Sequence, residues 1–143
     1  MEGRISCFTN KDELREAIEL YYEDAGCRDE VQTDECANSQ VVQTYGYPIN
    51  SWCFTEDLTD MSFLFAQITD FNEDISLWDV SAVKSFDWMF WDATSFNGDI
   101  SQWDTSTATS MKALFFHTSS FNGDISRWDT SNVTDMRCMF KGA

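Results

Sequence analysis

The chain has 143 residues, a length that suits one domain with a core of its own. Nine Lys and Arg against 25 Asp and Glu leave a formal net charge of −16, which argues against nucleic-acid or anionic-membrane partners. Hydrophobic content of 43% and aromatic content of 15% exclude an acidic disordered tail, and one proline with six glycines excludes a collagen-like or Pro-rich chain.

No apolar run reaches the roughly 18 residues of a membrane span, and no apolar h-region of a secretory signal opens the chain. The first predicted element is a helix, because Leu14, Ala17, Ile18, Tyr21 and Tyr22 fall at i, i+3, i+4, i+7 and i+8. Thr9 or Asn10 supplies its N-cap, Asp12 or Glu13 completes a capping box, and Gly26 ends it. Cys7, Cys27, Cys36 and Cys53 lie in or beside this small segment. They predict two disulfides, with three pairings open, and hence an oxidising, extracellular or cell-surface location. Origin as a fragment of a longer secreted chain would reconcile that location with the missing signal.

From about residue 46 the sequence repeats itself. FNEDISLWD, FNGDISQWD and FNGDISRWD begin at Phe71, Phe96 and Phe121, steps of 25 residues. Leu64-Phe65, Met89-Phe90, Leu114-Phe115 and Met139-Phe140 keep that step, as do Met61, Phe86, Met111 and Met136. A degenerate copy begins near Gly46, with Trp52 in the Trp position. A repeat stack needs a polar cap at each end. Residues 1–45 therefore read as an N-terminal helical, Cys-rich cap, and 46–143 as about four repeats, the last incomplete.

Within a unit, Asp99-Ile100-Ser101-Gln102-Trp103 predicts a short strand that bends at the Trp, followed by a turn at Asp104-Thr105-Ser106. Ser85, Ser110 and Asp135 then stand where a helix N-cap belongs. Residues 86, 89, 90 and 93 follow i, i+3, i+4, i+7 and predict about two helical turns. One strand and one helix per unit make an α/β, leucine-rich-repeat-like solenoid, with an all-β solenoid as the alternative if the helical piece is a turn.

Positions alike in every copy are those the stack itself demands. Phe71/Phe96/Phe121, Trp78/Trp103/Trp128 and Phe90/Phe115/Phe140 predict aromatic ladders in the core. Positions that vary speak to function. Phe63, Trp88, Ala113 and Cys138 share one slot; Trp91, Phe116 and Lys141 share another. Slots that accept Lys, Ala or Cys are not core, so Phe63, Trp88, Trp91 and Phe116 predict an exposed aromatic patch for a partner. Leu77, Gln102 and Arg127 put three chemistries in one strand slot and form a second partner-binding candidate. The rows Asp74/Asp99/Asp124 and Asp79/Asp104/Asp129 are expected to accept turn amides, with bridging calcium as the alternative.

His117 is the only histidine, and no CxxC pair, GxSxG elbow, P-loop or HExxH occurs. No catalytic residue, metal site or cofactor is predicted.

FNGDISRWDTSNVTDMRCMF resembles the repeat of the BspA-like surface-protein family, over about residues 46 to 143. The cap segments CFTNKDELREAI and TYGYPINSWCF resemble the start of large algal branches of that family. The resemblance implies a surface or secreted protein with a leucine-rich-repeat-like solenoid, a role in adhesion or protein binding, and no catalytic residues. The sequence departs from the family pattern at Phe86, Trp88 and Trp91, which strengthens the aromatic-patch reading. The expected function is a non-enzymatic module that binds a protein or cell-surface ligand. A structural spacer within a longer array, or an ice-, mineral- or calcium-binding face, are the alternatives. The uncapped C-terminal end offers a route to self-association.

Overall fold

The computed structural model of the chain describes residues 5–23 and 39–143. The expected helix stop at Gly26 and the disulfide candidates Cys27 and Cys36 lie outside the described residues. Helix α1 spans Lys11–Glu23. Its start is capped as the sequence implies: Asn10 Oδ1 accepts the Glu13 amide at 2.9 Å, and Glu13 Oε2 accepts the Thr9 amide at 3.2 Å. Leu14, Ala17, Ile18 and Tyr21 form the buried stripe. A short helix α2, Gln40–Tyr45, and a 3-10 turn, Ile49–Ser51, lead into the repeats. Phe8 pairs in a parallel bridge with Phe54, and beside it Cys7 is disulfide-bonded to Cys53. Tyr45 stacks on Phe8 with ring centroids 3.9 Å apart and donates its hydroxyl to Glu13 Oε1 at 2.9 Å. Burial, followed by that carboxylate bond, pushes the Tyr45 phenol up to about 12.

The repeats do not form the strand-plus-helix unit expected of them. Among the described residues there are two α-helices, one 3-10 turn and only isolated parallel bridges, with no sheet, so neither the α/β leucine-rich-repeat-like solenoid nor the all-β alternative describes the chain. Residues 86–93 are successive turns rather than a helix. Their amides alternate between two kinds of partner. Those of Phe86, Trp88, Phe90 and Asp92 donate to the carbonyls of Ser110, Lys112, Leu114 and Phe116 in the following unit. Those of Met89, Trp91 and Ala93 donate three residues back along the same unit. The segments from Met61 and Met111 repeat the pattern.

This ribbon requires left-handed backbone at every fourth residue. Phe63, Gln67, Trp88, Asp92, Ala113, His117 and Cys138 have φ between 52° and 64°, and Gly142 has φ 77°. For an L-residue that conformation costs about 1–2 kcal/mol. The ladder offsets it by satisfying the alternate amides of the segments from Met61, Phe86 and Met111 with carbonyls of the unit that follows each. A four-residue turn also places positions 86, 89, 90 and 93 inward, which is why the hydrophobic pattern imitates a helix.

The predicted ladders are present. Phe90 stacks on Phe65 and Phe115 with centroids 5.4 and 5.7 Å away, and lies 4.0 Å from Phe96. Phe96 and Phe121 are 5.9 Å apart and parallel within 1°. The indoles of Trp78, Trp103 and Trp128 donate to the carbonyls of Ile49, Ile75 and Ile100 at 2.9, 3.1 and 3.0 Å, so each buried N–H is satisfied one unit back.

The aspartate rows close turns. Asp74, Asp79, Asp99, Asp104, Asp124 and Asp129 each accept the backbone amide of a serine two residues on. Bonds from these serines hold the Asp99, Asp104, Asp124 and Asp129 carboxyls below their usual range. The neighbouring carboxylate pushes Asp99 the other way but is its weakest influence. The folded state therefore binds fewer protons than the unfolded one. The stabilisation is full above the ordinary carboxyl pKa of about 4 and is lost as pH falls through the lowered values. Thermal melts should show a midpoint that drops steeply below about pH 4; a midpoint that holds steady or rises there would show that relief of the −16 charge outweighs the turn bonds.

Candidate functional site

The outward aromatic slots are built by the left-handed turns. Phe63 and Trp88 both occupy such positions, in consecutive units, so their rings project side by side: centroids 6.1 Å apart, planes within 2°. Trp88 meets Trp91 edge-on at 5.6 Å and Phe116 at 5.4 Å. All four predicted residues thus form one continuous row. Phe63 is 46% exposed, whereas Trp88, Trp91 and Phe116 are half-buried against one another. The variable slots are not uniformly outside, because Ala113 is fully buried in the slot that Phe63 and Trp88 share.

Cations that the sequence reading did not single out flank this row. The Lys112 ammonium lies 5.9 Å from the Trp88 ring and that of Lys141 5.6 Å from Phe116. Neither is in a salt bridge with a described residue. At the other end of the row an open cleft of about 270 Å³ lies between α1 and the first rungs, with Lys11, Arg15, Ser62, Phe63, Gln67 and Trp91 among its lining residues. Lys11 Nζ is 2.8 Å from Asp60 Oδ2 and 3.0 Å from Ser62 Oγ. Partial burial pushes the Asp60 carboxyl up, but Lys11 together with the Ser62 amide and hydroxyl holds it below its usual range. Five of the nine Lys and Arg residues, Lys11, Arg15, Lys112, Arg137 and Lys141, belong to α1 or to these rungs. Lys112 and Arg137 share one slot of consecutive units and Lys141 stands in the slot of Trp91 and Phe116, whereas Lys11 and Arg15 lie on α1 and meet the rungs only in the folded chain.

The second candidate row is also outward. Leu77 is 78% exposed, and Arg127 Nη1 donates to Gln102 Oε1 at 3.4 Å. His117 Nδ1 lies 3.2 Å from Asp92 Oδ1 on the surface. Among the described residues no cluster of three or more His, Cys, Asp or Glu is arranged to hold a metal ion, and no helix is long and apolar enough to cross a membrane.

Residues 36–143 match the family model described as Mycoplasma protein of unknown function, DUF285. The chain belongs to the DUF285 family. Membership covers the repeats and the last part of the segment before them, and its description assigns no activity. No curated protein and no solved structure matches the chain. In this DUF285 chain the aromatic row and its cations are therefore the features from which function has to be argued.

Proposed function

We propose that the chain is a non-enzymatic binding module, acting outside the cell or at its surface, that recognises a protein partner through the Phe63–Trp88–Trp91–Phe116 row. The observation that carries this reading is the row itself: four large aromatic side chains on the outer side of the ribbon, contacting each other across three units. Trp and other aromatic residues supply much of the energy at protein interfaces, and contiguous aromatic surface marks such sites. Lys112 and Lys141 beside the row, neither in a salt bridge with a described residue, favour a partner segment that combines carboxylates with apolar side chains. Leu77, Gln102 and Arg127 are the subsidiary contact set. The Cys7–Cys53 bond and the resemblance to BspA-like repeats support the location.

Panning a random 12-residue peptide library against the chain tests this. Enriched peptides should carry acidic and aromatic residues. A Trp88→Ser/Phe116→Ser variant with an unchanged far-UV spectrum should lose at least about 2 kcal/mol of affinity, roughly 30-fold. Peptides that bind wild type and variant alike would remove the row from the function.

A further inference from the structure

The cleft between α1 and the first rungs holds polar groups that the fold fixes in place but does not use up. Arg15 is fastened by three bonds: Nε donates to Glu19 Oε1 at 2.7 Å, and Nη1 donates to the carbonyls of Phe63 and Leu64. Its Nη2 group has no partner among the described residues, so a clamped guanidinium presents two free N–H donors. Lys11 is held in the same way by Asp60 Oδ2 and Ser62 Oγ, and keeps one ammonium proton free. Gln67 also lines the cleft, is exposed, and its side-chain amide bonds to no other described residue.

Phe63, Ala66 and Trp91 supply the apolar part of the lining. Asp12 is exposed and makes no ion pair with a described residue, whereas Asp60 and Glu19 are already paired with Lys11 and Arg15. The space is about 270 Å³, suited to a single large amino-acid residue rather than to a drug-sized ligand.

We propose that this cleft is a carboxylate site that takes the last residue of a protein partner. The free α-carboxylate bonds to Arg15 and Lys11, and the apolar side chain packs on Phe63, Ala66 and Trp91. The proposal rests on the aromatic row being a protein-binding surface, since Phe63 and Trp91 belong to both. The lining selects a chain terminus over an internal acidic residue. A terminal residue carries its carboxylate and its apolar side chain on one Cα, so space for one residue serves both parts of the lining. An internal Glu or Asp fills the donors alone and leaves the apolar wall bare. The terminal residue also brings a peptide N–H, for which Asp12 and the Gln67 side-chain oxygen are acceptors. A carboxylate meeting a guanidinium already held in place makes a charge-assisted bond with little ordering cost left.

Three small probes titrated into the unaltered chain test this: N-acetylphenylalanine, its carboxamide, and N-acetylglutamate blocked as the α-amide. The readout is NMR at the Gln67 side-chain amide and the Trp91 indole N–H. N-acetylphenylalanine should shift both signals saturably, with a Kd on the order of 1 mM. The carboxamide and the blocked glutamate should each bind at least about tenfold more weakly. Arg15→Lys keeps the charge but loses the fork, and should weaken N-acetylphenylalanine about tenfold. Should that change disturb α1, Gln67→Gly is the second variant, because φ 64° suits glycine; read at Trp91, it should weaken the same probe several-fold. Equal binding of acid and carboxamide, tighter binding of the blocked glutamate, or no shift with any probe overturns the proposal. Synthetic versions of the panned peptides separate the two readings. Peptides that need Trp88 and Phe116 but bind equally with a free or an amidated C-terminus would leave the row standing and overturn the terminal site.

Discussion

Replacing Phe90 by Ala is expected to lower the unfolding free energy by about 3–5 kcal/mol, a large part of the stability of a domain this size. Phe90 is fully buried and its ring contacts Phe65, Phe71, Phe96, Trp103 and Phe115, which belong to three units. Truncation leaves a cavity whose walls are held by the backbone ladder, so the site has little room to collapse. The same change at Phe140, the equivalent slot at the open edge, should cost under about 1 kcal/mol because that ring is 48% exposed and meets Phe115 on one side only. Urea unfolding of the two variants provides the comparison. Similar losses at Phe90 and Phe140 would contradict the stacking order.

Removal of the Cys7–Cys53 bond should have the second large effect. The bond ties the segment before α1 to the first repeat across a sequence separation of 46 residues. In the chain-entropy account a loop of that size is worth about 4 kcal/mol at 25 °C. The bond also holds Phe8 in place, and Phe8 fills the space among Tyr45, Trp52 and Phe54. A Cys7→Ser/Cys53→Ser variant, melted without reductant, should therefore lose the end of the stack that α1 covers before the rest. Intact mass with and without reduction and alkylation reports how many thiols are paired in the native chain. A native mass showing five free thiols, or a variant as stable as wild type, would count against both the bond's role and the oxidising location proposed for the protein.

The parts of this molecule that obey a local rule were legible in its residues. The Leu14, Ala17, Ile18, Tyr21 stripe and the Thr9–Glu13 cap follow from helix geometry alone, and both are present. The Phe and Trp ladders follow from the 25-residue step, which any in-register stack must honour. The unit's backbone was not legible. A ribbon with a four-residue period buries Phe86, Met89, Phe90 and Ala93 just as a helix would, and the difference lies in amides that bond to the next unit rather than to the turn before. No side-chain pattern records that choice. The aromatic slots could be read as variable, but Trp88 meets Phe63 and Phe116 only through contacts between units, and Lys112 and Lys141 gain meaning only once the rungs are stacked.

The left-handed positions set the alphabet in which this surface can change. Phe63, Gln67, Trp88, Asp92, Ala113, His117, Cys138 and Gly142 range from the smallest side chain to the largest and from acid to aromatic, yet none is β-branched and none is proline. Branching at Cβ crowds a backbone with positive φ, and proline cannot adopt it. The backbone cost at each such place is absent for Gly, reduced for Asp and similar among the other unbranched side chains. Where such a place faces outward, as at Phe63, mutation can therefore exchange one recognition group for another at little backbone cost, while the buried Ala113 has no such freedom and Val, Ile, Thr and Pro are screened out before any partner is met.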